Sequence, residues 1–143
     1  MITALDTNVL LDILLAEEQF FEGSAQALEE AATAGSLVIG DLVYAELCSH
    51  FQVPRECDRF LEESEIRVEP LNREAGFLAS RAWRSYRRRR RAGRRNRLLA
   101  DFLIGAPAQV QASQLLSRDR GFYRAMFPSL QLVDPSRLQK PEA

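Results

Sequence analysis

Short apolar segments alternate with amphipathic segments along most of this chain. The apolar segments predict strands at residues 2–5, 37–39, 66–68, 115–116 and 130–133. Strands that alternate with helices at this spacing favour a parallel sheet with helices on both faces. Because 143 residues leave room for one such domain, we predict a single α/β domain in which helices flank a central parallel sheet.

Residues that favour helix ends set the expected helix boundaries. Ser24 is suited to cap a helix that Gly35 ends, and Asn72 is suited to cap a long helix that Gly93 breaks. Pro107 lies inside the last long predicted helix. Because proline removes a backbone donor, we expect that helix to kink or to end early.

The formal net charge of −1 conceals a strong asymmetry along the chain. Residues 1–74 carry 16 acidic residues against 4 arginines, whereas residues 75–143 carry 15 basic residues against 4 acids. An acidic half and a basic half in one domain can place a carboxylate cluster beside a cationic surface. That arrangement suits a polyanion held by metal ions.

Cysteine usage and hydropathy predict the cellular compartment of the protein. Cys48 and Cys57 form no Cys-x-x-Cys pair, and His50 is the one other soft ligand of the chain. We therefore interpret the cysteines as two reduced thiols rather than a disulfide or a zinc site, which favours the cytoplasm. No secretion signal is visible, and the early apolar run 9–15 is far shorter than the roughly 20 residues that span a bilayer. We expect a cytoplasmic protein with no membrane partner.

Four acidic residues lie in apolar sequence, unlike most acids of this chain: Asp6, Glu46, Asp101 and Asp119. Asp6 and Asp119 come just after predicted strands, and open parallel sheets bind ligands beyond the carboxyl ends of their strands. A buried carboxylate needs a cation, hydrogen bonds or an unusual pKa. Mg²⁺ or Mn²⁺ prefers oxygen ligands and supports phosphodiester hydrolysis without a histidine. Taken alone, Asp6 is at least as well suited to a helix cap and Asp119 to a turn. Glu46 and Asp101 could be exposed helix positions, although their apolar flanks disfavour this, and only the set of four favours a metal site.

The segments around these acids resemble the motifs of bacterial PIN domains. In chain order the motifs are Leu5-Asp6-Thr7-Asn8-Val9-Leu10-Leu11-Asp12, Tyr44-Ala45-Glu46-Leu47, Ala100-Asp101-Phe102-Leu103-Ile104-Gly105-Ala106 and Ser117-Arg118-Asp119-Arg120-Gly121-Phe122-Tyr123. The resemblance extends from residue 5 to about residue 133. Many close relatives have histidine or a small residue where this chain has Pro107.

The resemblance implies a three-layer α/β/α PIN-like nuclease domain at residues 1–133, followed by a C-terminal tail at 134–143. It implies an endoribonuclease whose four acids Asp6, Glu46, Asp101 and Asp119 are catalytic and bind Mg²⁺ or Mn²⁺. Thr7 and Asn8 would support the site through hydrogen bonds. The chain is most similar to VapC-like toxins of type II toxin–antitoxin (VapBC) systems. The implied partners are an RNA substrate, a cognate VapB-like antitoxin and a second copy of the chain in a homodimer.

An arginine block places ten arginines within the 17 residues 81–97, with two aromatic residues among them. Arginine suits bidentate phosphate contacts and stacking on bases. We therefore predict that RNA is bound by Arg87, Arg88, Arg91, Arg94, Arg95 and Arg97. The alternative is a solvated helix end that forms ion pairs with the acidic half.

Three other functions fit parts of this pattern. A stand-alone PIN nuclease would process RNA without an antitoxin, and a catalytically inactive relative would only bind RNA. A receiver domain of the response-regulator type also places acids at strand ends and binds Mg²⁺. It would need a lysine on its last strand, whereas the chain's single lysine is Lys140 in the predicted tail.

Overall fold

The computed structural model describes residues 1–89 and 97–136, in which five strands alternate with seven helices. The strands are β1 (Ile2–Leu5), β2 (Ser36–Ile39), β3 (Ile66–Val68), β4 (Gln114–Leu116) and β5 (Leu132–Val133). The helices are α1 (Thr7–Leu14), α2 (Phe21–Ala34), α3 (Asp41–Cys48), α4 (Pro54–Glu63), α5 (Arg73–Arg89), α6 (Leu99–Gln111) and α7 (Arg120–Met126).

All five strands are parallel and lie in the order β3-β2-β1-β4-β5. Ala4 in the central strand pairs with Val38 on one side and with Leu115 on the other. The chain therefore builds one side of the sheet first, and then crosses β1 to build the other side. In such sheets ligands bind beyond the carboxyl ends of the strands at the point where the order reverses. Here that point lies between the ends of β1 and β4.

Successive side chains of each strand face opposite sides of the sheet, and both sides are covered. Leu5 and Leu116 pack in a core that α1 to α4 cover. Ala4 and Leu115 face a second core with Phe102, under α5 to α7. The predicted fold of a parallel sheet between two helical layers is confirmed.

Two predicted helix boundaries are confirmed and two predictions are wrong. The Asn72 side chain accepts from the Ala75 amide at the start of α5, and α2 ends at Gly35. However, α2 begins at Phe21, and the buried Ser24 donates its hydroxyl to Asp12 instead of capping a helix. The predicted break at Gly93 lies outside the described residues.

The prediction that Pro107 ends its helix early is also wrong, because α6 runs on to Gln111. The alternative, a kink at Pro107, stays a prediction. Proline in a helix interior costs about 3 kcal/mol relative to alanine. Phe102, Ala106 and Ala108 are fully or almost fully buried on the same helix, and burial of these side chains offsets the lost backbone bond. Tertiary packing therefore overrides the local preference.

The end of the described chain is attached to the domain. The predicted strand 130–133 is shorter than expected, since β5 covers only Leu132–Val133. Beyond it, Pro135 is fully buried, and Asp134 accepts from both the amide and the hydroxyl of Ser136. Residues 137–143 of the predicted tail lie outside the described residues, so the domain boundary stays a prediction. No helix in the described ranges is long and apolar enough to cross a membrane.

Gly105 on α6 and Gly76 on α5 offer a matched test of the packing of α6 against Phe127, the residue that follows α7. A Cβ at Gly105 would lie 2.5 Å from Phe127 Cε2, whereas a Cβ at Gly76 meets nothing within 4 Å. We expect Gly105→Ala to destabilise the fold by about 1–3 kcal/mol through overpacking. Gly76→Ala should instead stabilise it by about 0.5–1 kcal/mol, since alanine suits a helix better. Urea denaturation measures both, and a stabilised Gly105→Ala variant would contradict this packing.

Candidate functional site

Asp6 lies directly after β1 and is the N-cap residue of α1. The residue is 6% exposed, and its carboxylate accepts from the Thr7 amide at 2.7 Å. The Ser117 hydroxyl donates to it at 2.7 Å and the Tyr123 hydroxyl at 2.9 Å. The end of β1, the loop after β4 and α7 therefore meet at one carboxylate.

The hydrogen-bond partners of Asp6 carry no positive charge. Burial raises the pKa of Asp6, the hydrogen bonds from Ser117, Tyr123 and Thr7 oppose that effect, and the charge of Asp119 adds to it. Burial, followed by the charge of Asp6, also raises the pKa of Tyr123. The Tyr123 hydroxyl therefore stays protonated and acts as a donor to Asp6. A buried carboxylate of this kind favours a cation beside it.

Glu46 on α3 shares the electrostatic environment of Asp6. Thr7 Oγ1 donates to Glu46 Oε1 at 3.2 Å. Partial burial raises the pKa of Glu46, and the charges of Asp6 and Asp101 raise it further. Electrostatic repulsion therefore links all four acids predicted from sequence, because Glu46 is affected by Asp6 and Asp101, and Asp6 by Asp119.

Asp101 and Asp119 both have partners within the protein. Asp101 Oδ2 accepts from the Leu98 amide at 3.0 Å, which caps the start of α6. Asp119 Oδ2 accepts from Arg97 Nη1 at 2.9 Å, and the Arg97 guanidinium lies 4.5 Å from the centre of the Phe122 ring. One arginine predicted to bind RNA is therefore the ion-pair partner of a predicted metal ligand.

The donor set fits a hard divalent cation, but the site is not preformed. Carboxylate oxygens are the ligands that Mg²⁺ and Mn²⁺ prefer, and the buried Asp6 has no cation among its hydrogen-bond partners. Even so, across residues 1–89 and 97–136 no three acidic, histidine or cysteine side chains already converge as a metal cluster. Arg97 binds Asp119 Oδ2 at 2.9 Å. Because a carboxylate has two acceptor oxygens, a metal at Asp119 would either share this carboxylate with Arg97 or displace Arg97 from it.

The two supporting residues predicted from sequence lie at the site. Thr7 contacts both Asp6 and Glu46. The Asn8 amide donates to Asp6 Oδ2 at 3.4 Å and to Ser117 Oγ at 3.3 Å, and its oxygen accepts from the Arg118 amide. These contacts orient side chains at the carboxyl ends of β1 and β4.

A buried ion pair between Asp12 and Arg118 was not predicted from the sequence. Asp12 is 3% exposed, and Arg118 binds both of its oxygens, at 2.8 and 2.9 Å. The guanidinium also lies 3.8 Å from the centre of the Phe20 ring. The pair joins α1 to the loop that carries Ser117 and Asp119. Asp12 interrupts an apolar run, and the criterion that selected the other isolated acids would also have found it.

The described arginines of α5 form an exposed basic face. Its members are Arg81, Arg84, Arg87, Arg88 and Arg89, and most of them line a surface cavity of about 350 Å³. The Arg87 guanidinium lies 4.8 Å from the centre of the Trp83 ring. No acidic side chain in the described ranges forms an ion pair with this face. Arg91, Arg94 and Arg95, which we also predict to bind RNA, lie outside the described residues.

Comparison with known proteins agrees with this geometry. Residues 3–128 match the PIN domain family, and the chain therefore belongs to that family. No curated protein matches the sequence. Because the family match covers all four predicted acids, it agrees with the motifs on which the sequence prediction was based.

Solved structures share the fold at low sequence identity. The chain is similar to VapBC2 from Rickettsia felis, bound to a DNA fragment from its promoter, with a TM-score of 0.70, 20% identity and coverage of 94% of this chain and 98% of that one. It is similar to VapBC-1 from nontypeable Haemophilus influenzae, with a TM-score of 0.69, 19% identity and coverage of 95% and 99%. A toxin–antitoxin complex from Klebsiella pneumoniae gives a TM-score of 0.66 at 20% identity over 93% and 97%.

The Asp12–Arg118 pair makes a prediction about stability. Arg118→Ala leaves the Asp12 carboxylate buried without its counter-ion, so we expect a loss of roughly 3 kcal/mol in the free energy of unfolding. The matched control is Arg67→Ala, which removes an exposed ion pair with Glu69 and should cost less than about 1 kcal/mol. Urea denaturation compares the two variants. Equal losses would show that the Arg118 pair contributes no more than a surface contact.

Glu46 makes a prediction about pH. Because its pKa is raised from about 4.5 in the folded protein, the folded state binds the proton more tightly than the unfolded state does. Wild type therefore loses stability as the pH rises from about 4.5 through the folded pKa. Glu46→Gln does not titrate and keeps the acceptor for Thr7. We expect the metal-free variant to be more stable than wild type at pH 7, and the difference to shrink towards pH 4.5. A variant that is less stable than wild type at pH 7 would contradict the raised pKa of Glu46.

Proposed function

We propose that this chain is a divalent-metal-dependent endoribonuclease that hydrolyses RNA phosphodiester bonds. The observation that carries the proposal is the buried Asp6, whose hydrogen-bond partners are uncharged, beside Glu46 at the point where the strand order reverses. Carboxylates whose negative charges repel each other at short range favour a cation between them. A bound Mg²⁺ or Mn²⁺ would neutralise phosphate charge and supply a nucleophile near neutral pH.

The protein's own residues would hold and orient the metal-binding groups. Asp6, Glu46, Asp101 and Asp119 would supply carboxylate oxygens. Ser117 and Tyr123 donate to Asp6, which fixes the orientation of its carboxylate. Arg97 holds Asp119 and, once displaced, would be free to contact a phosphate beside the site. Thr7 and Asn8 act through hydrogen bonds.

RNA would bind along the basic face of α5. Its exposed guanidinium groups have no acidic partner among the described residues, which favours phosphate contact over internal ion pairs. Arg87 and Arg88 belong to this face, and Arg91, Arg94 and Arg95 follow it along the chain. Phosphate contacts by arginine position a nucleic acid without reading its sequence.

The biological role that fits best is a growth-arresting toxin of the cytoplasm that a cognate VapB-like antitoxin neutralises. The fold neighbours named above are toxin–antitoxin complexes, which supports this role and an antitoxin partner. A homodimer is part of the same proposal. The stand-alone nuclease and the inactive RNA-binding protein remain the alternatives, and the experiment below separates them.

Induced expression of wild type, Asp6→Asn and Asp101→Asn tests the proposal, with growth and total RNA followed together. Asn at position 101 keeps an oxygen that accepts from the Leu98 amide, so this variant preserves the cap of α6. We expect wild type to arrest growth and to produce defined RNA fragments. Loss of a metal-binding carboxylate should reduce cleavage by about 100-fold or more. Purified proteins are then assayed with Mn²⁺ and with a chelator.

Glu62→Gln is the matched control, because it removes one acid from an exposed position of α4. It should arrest growth and cleave RNA as wild type does. Undiminished cleavage by Asp101→Asn, or cleavage that survives the chelator, would contradict the metal site. Wild type that cleaves RNA in vitro but leaves growth unaffected supports the stand-alone nuclease. Wild type that binds RNA without cleaving it supports the inactive protein.

A further inference from the structure

The two cysteines of the chain lie side by side between α3 and α4. The Cys48 thiol donates to the Cys57 sulfur, with the two sulfur atoms 3.1 Å apart. Both cysteines are free thiols in this structure. Their spacing of nine residues gave no sign that they would meet. Their proximity therefore comes from the packing of the two helices.

Other contacts between the two helices hold them in a position in which the two thiols face each other. The Tyr44 hydroxyl, one helical turn before Cys48, donates to Asp58 at 3.2 Å. The ring of Phe51, just beyond α3, lies 6.1 Å from the ring of Phe60 on α4. The sulfur atoms are therefore kept together by contacts that need no bond between them, so the native fold should favour closure of the pair.

The two thiols differ in their access to solvent. Cys57 is fully buried, and Cys48 is half-buried. Burial raises the pKa of Cys57 to about 12, and the neighbouring Cys48 adds to that effect. A reagent in solution therefore reaches Cys48 first, and Cys57 is the second thiol to react.

We propose that Cys48 and Cys57 form a redox-modifiable dithiol that a low-molecular-weight disulfide converts into an intramolecular disulfide. In the first step Cys48 sulfur attacks one sulfur of the reagent, and the other half leaves as a thiol that carries the Cys48 proton. In the second step Cys57 sulfur attacks Cys48 sulfur and displaces the second reagent thiol, which carries the Cys57 proton. One reagent disulfide is reduced to two thiols, and one protein disulfide forms.

The disulfide would tie α3, the helix that carries Glu46, to α4 across the connecting residues 49–53. If the disulfide forms more readily in the folded chain than in the unfolded chain, thermodynamic linkage requires that the disulfide stabilise the folded state by the same factor. The ratio of the effective thiol concentrations in the native and unfolded chains therefore measures how strongly the fold favours this disulfide.

The test equilibrates the full-length protein with mixtures of reduced and oxidised glutathione, native and in urea, and then counts free thiols by alkylation and intact mass. We expect the native protein to form a monomeric disulfide at an effective thiol concentration about tenfold or more above that of the unfolded chain. A native value equal to or below the unfolded value would overturn the proposal. Disulfide-linked dimers in place of the intramolecular bond would overturn it too.

Two variants identify the order of reaction. Cys57→Ser should accumulate a stable mixed disulfide between glutathione and Cys48, because the second thiol is missing. Cys48→Ser should react much more slowly, because Cys57 is buried. Fast modification of Cys57 in that variant would contradict the proposed order, and a persistent glutathione adduct on wild type would contradict closure by Cys57.

Discussion

A carboxylate buried at the end of the central strand is the constraint on which the rest of the site depends. Asp6 cannot move far, because its backbone continues β1 and its side chain caps α1. Ser117 and Tyr123 approach it from the other half of the sheet. The parallel order β3-β2-β1-β4-β5 brings these elements together. Charge has to be accommodated here by hydrogen bonds, by protonation or by a cation, and the acids nearby favour a cation.

Two arginine ion pairs lie at this edge, and one of them, Arg118 with Asp12, joins the basic half of the chain to the acidic half. Arg118 binds the buried Asp12 and fixes the loop after β4 against α1. Arg97 binds Asp119 at the opposite end of the same loop. The first pair is buried on the acidic side and suits a permanent structural contact, whereas the second is more exposed and suits a contact that a metal or a phosphate can replace. The exposed arginines of α5 add a further basic surface to this half of the chain.

Local signals in the sequence were enough to predict a parallel sheet between helical layers and to place Asp6 and Asp119 after strands. Alternating apolar segments gave the strands, and Asn72 and Gly35 gave helix ends, because these effects act within a few residues. Long-range contacts decide the remainder. Ser24 is held by Asp12, Pro107 is tolerated because its helix is packed in the core, and Arg97 turns to Asp119. The spacing of Cys48 and Cys57 likewise carries no information about a contact made between two helices.

We propose above all that these carboxylates hold divalent metal, one ion or two, at the ends of β1 and β4. The most direct measurement is the anomalous difference density of a crystal of the protein soaked with Mn²⁺. The account predicts a peak bonded to Asp6 and to at least one of Glu46, Asp101 and Asp119, at about 2.0–2.2 Å from carboxylate oxygens. No peak at this edge under saturating Mn²⁺, or a peak bound only elsewhere on the molecule, would contradict the account.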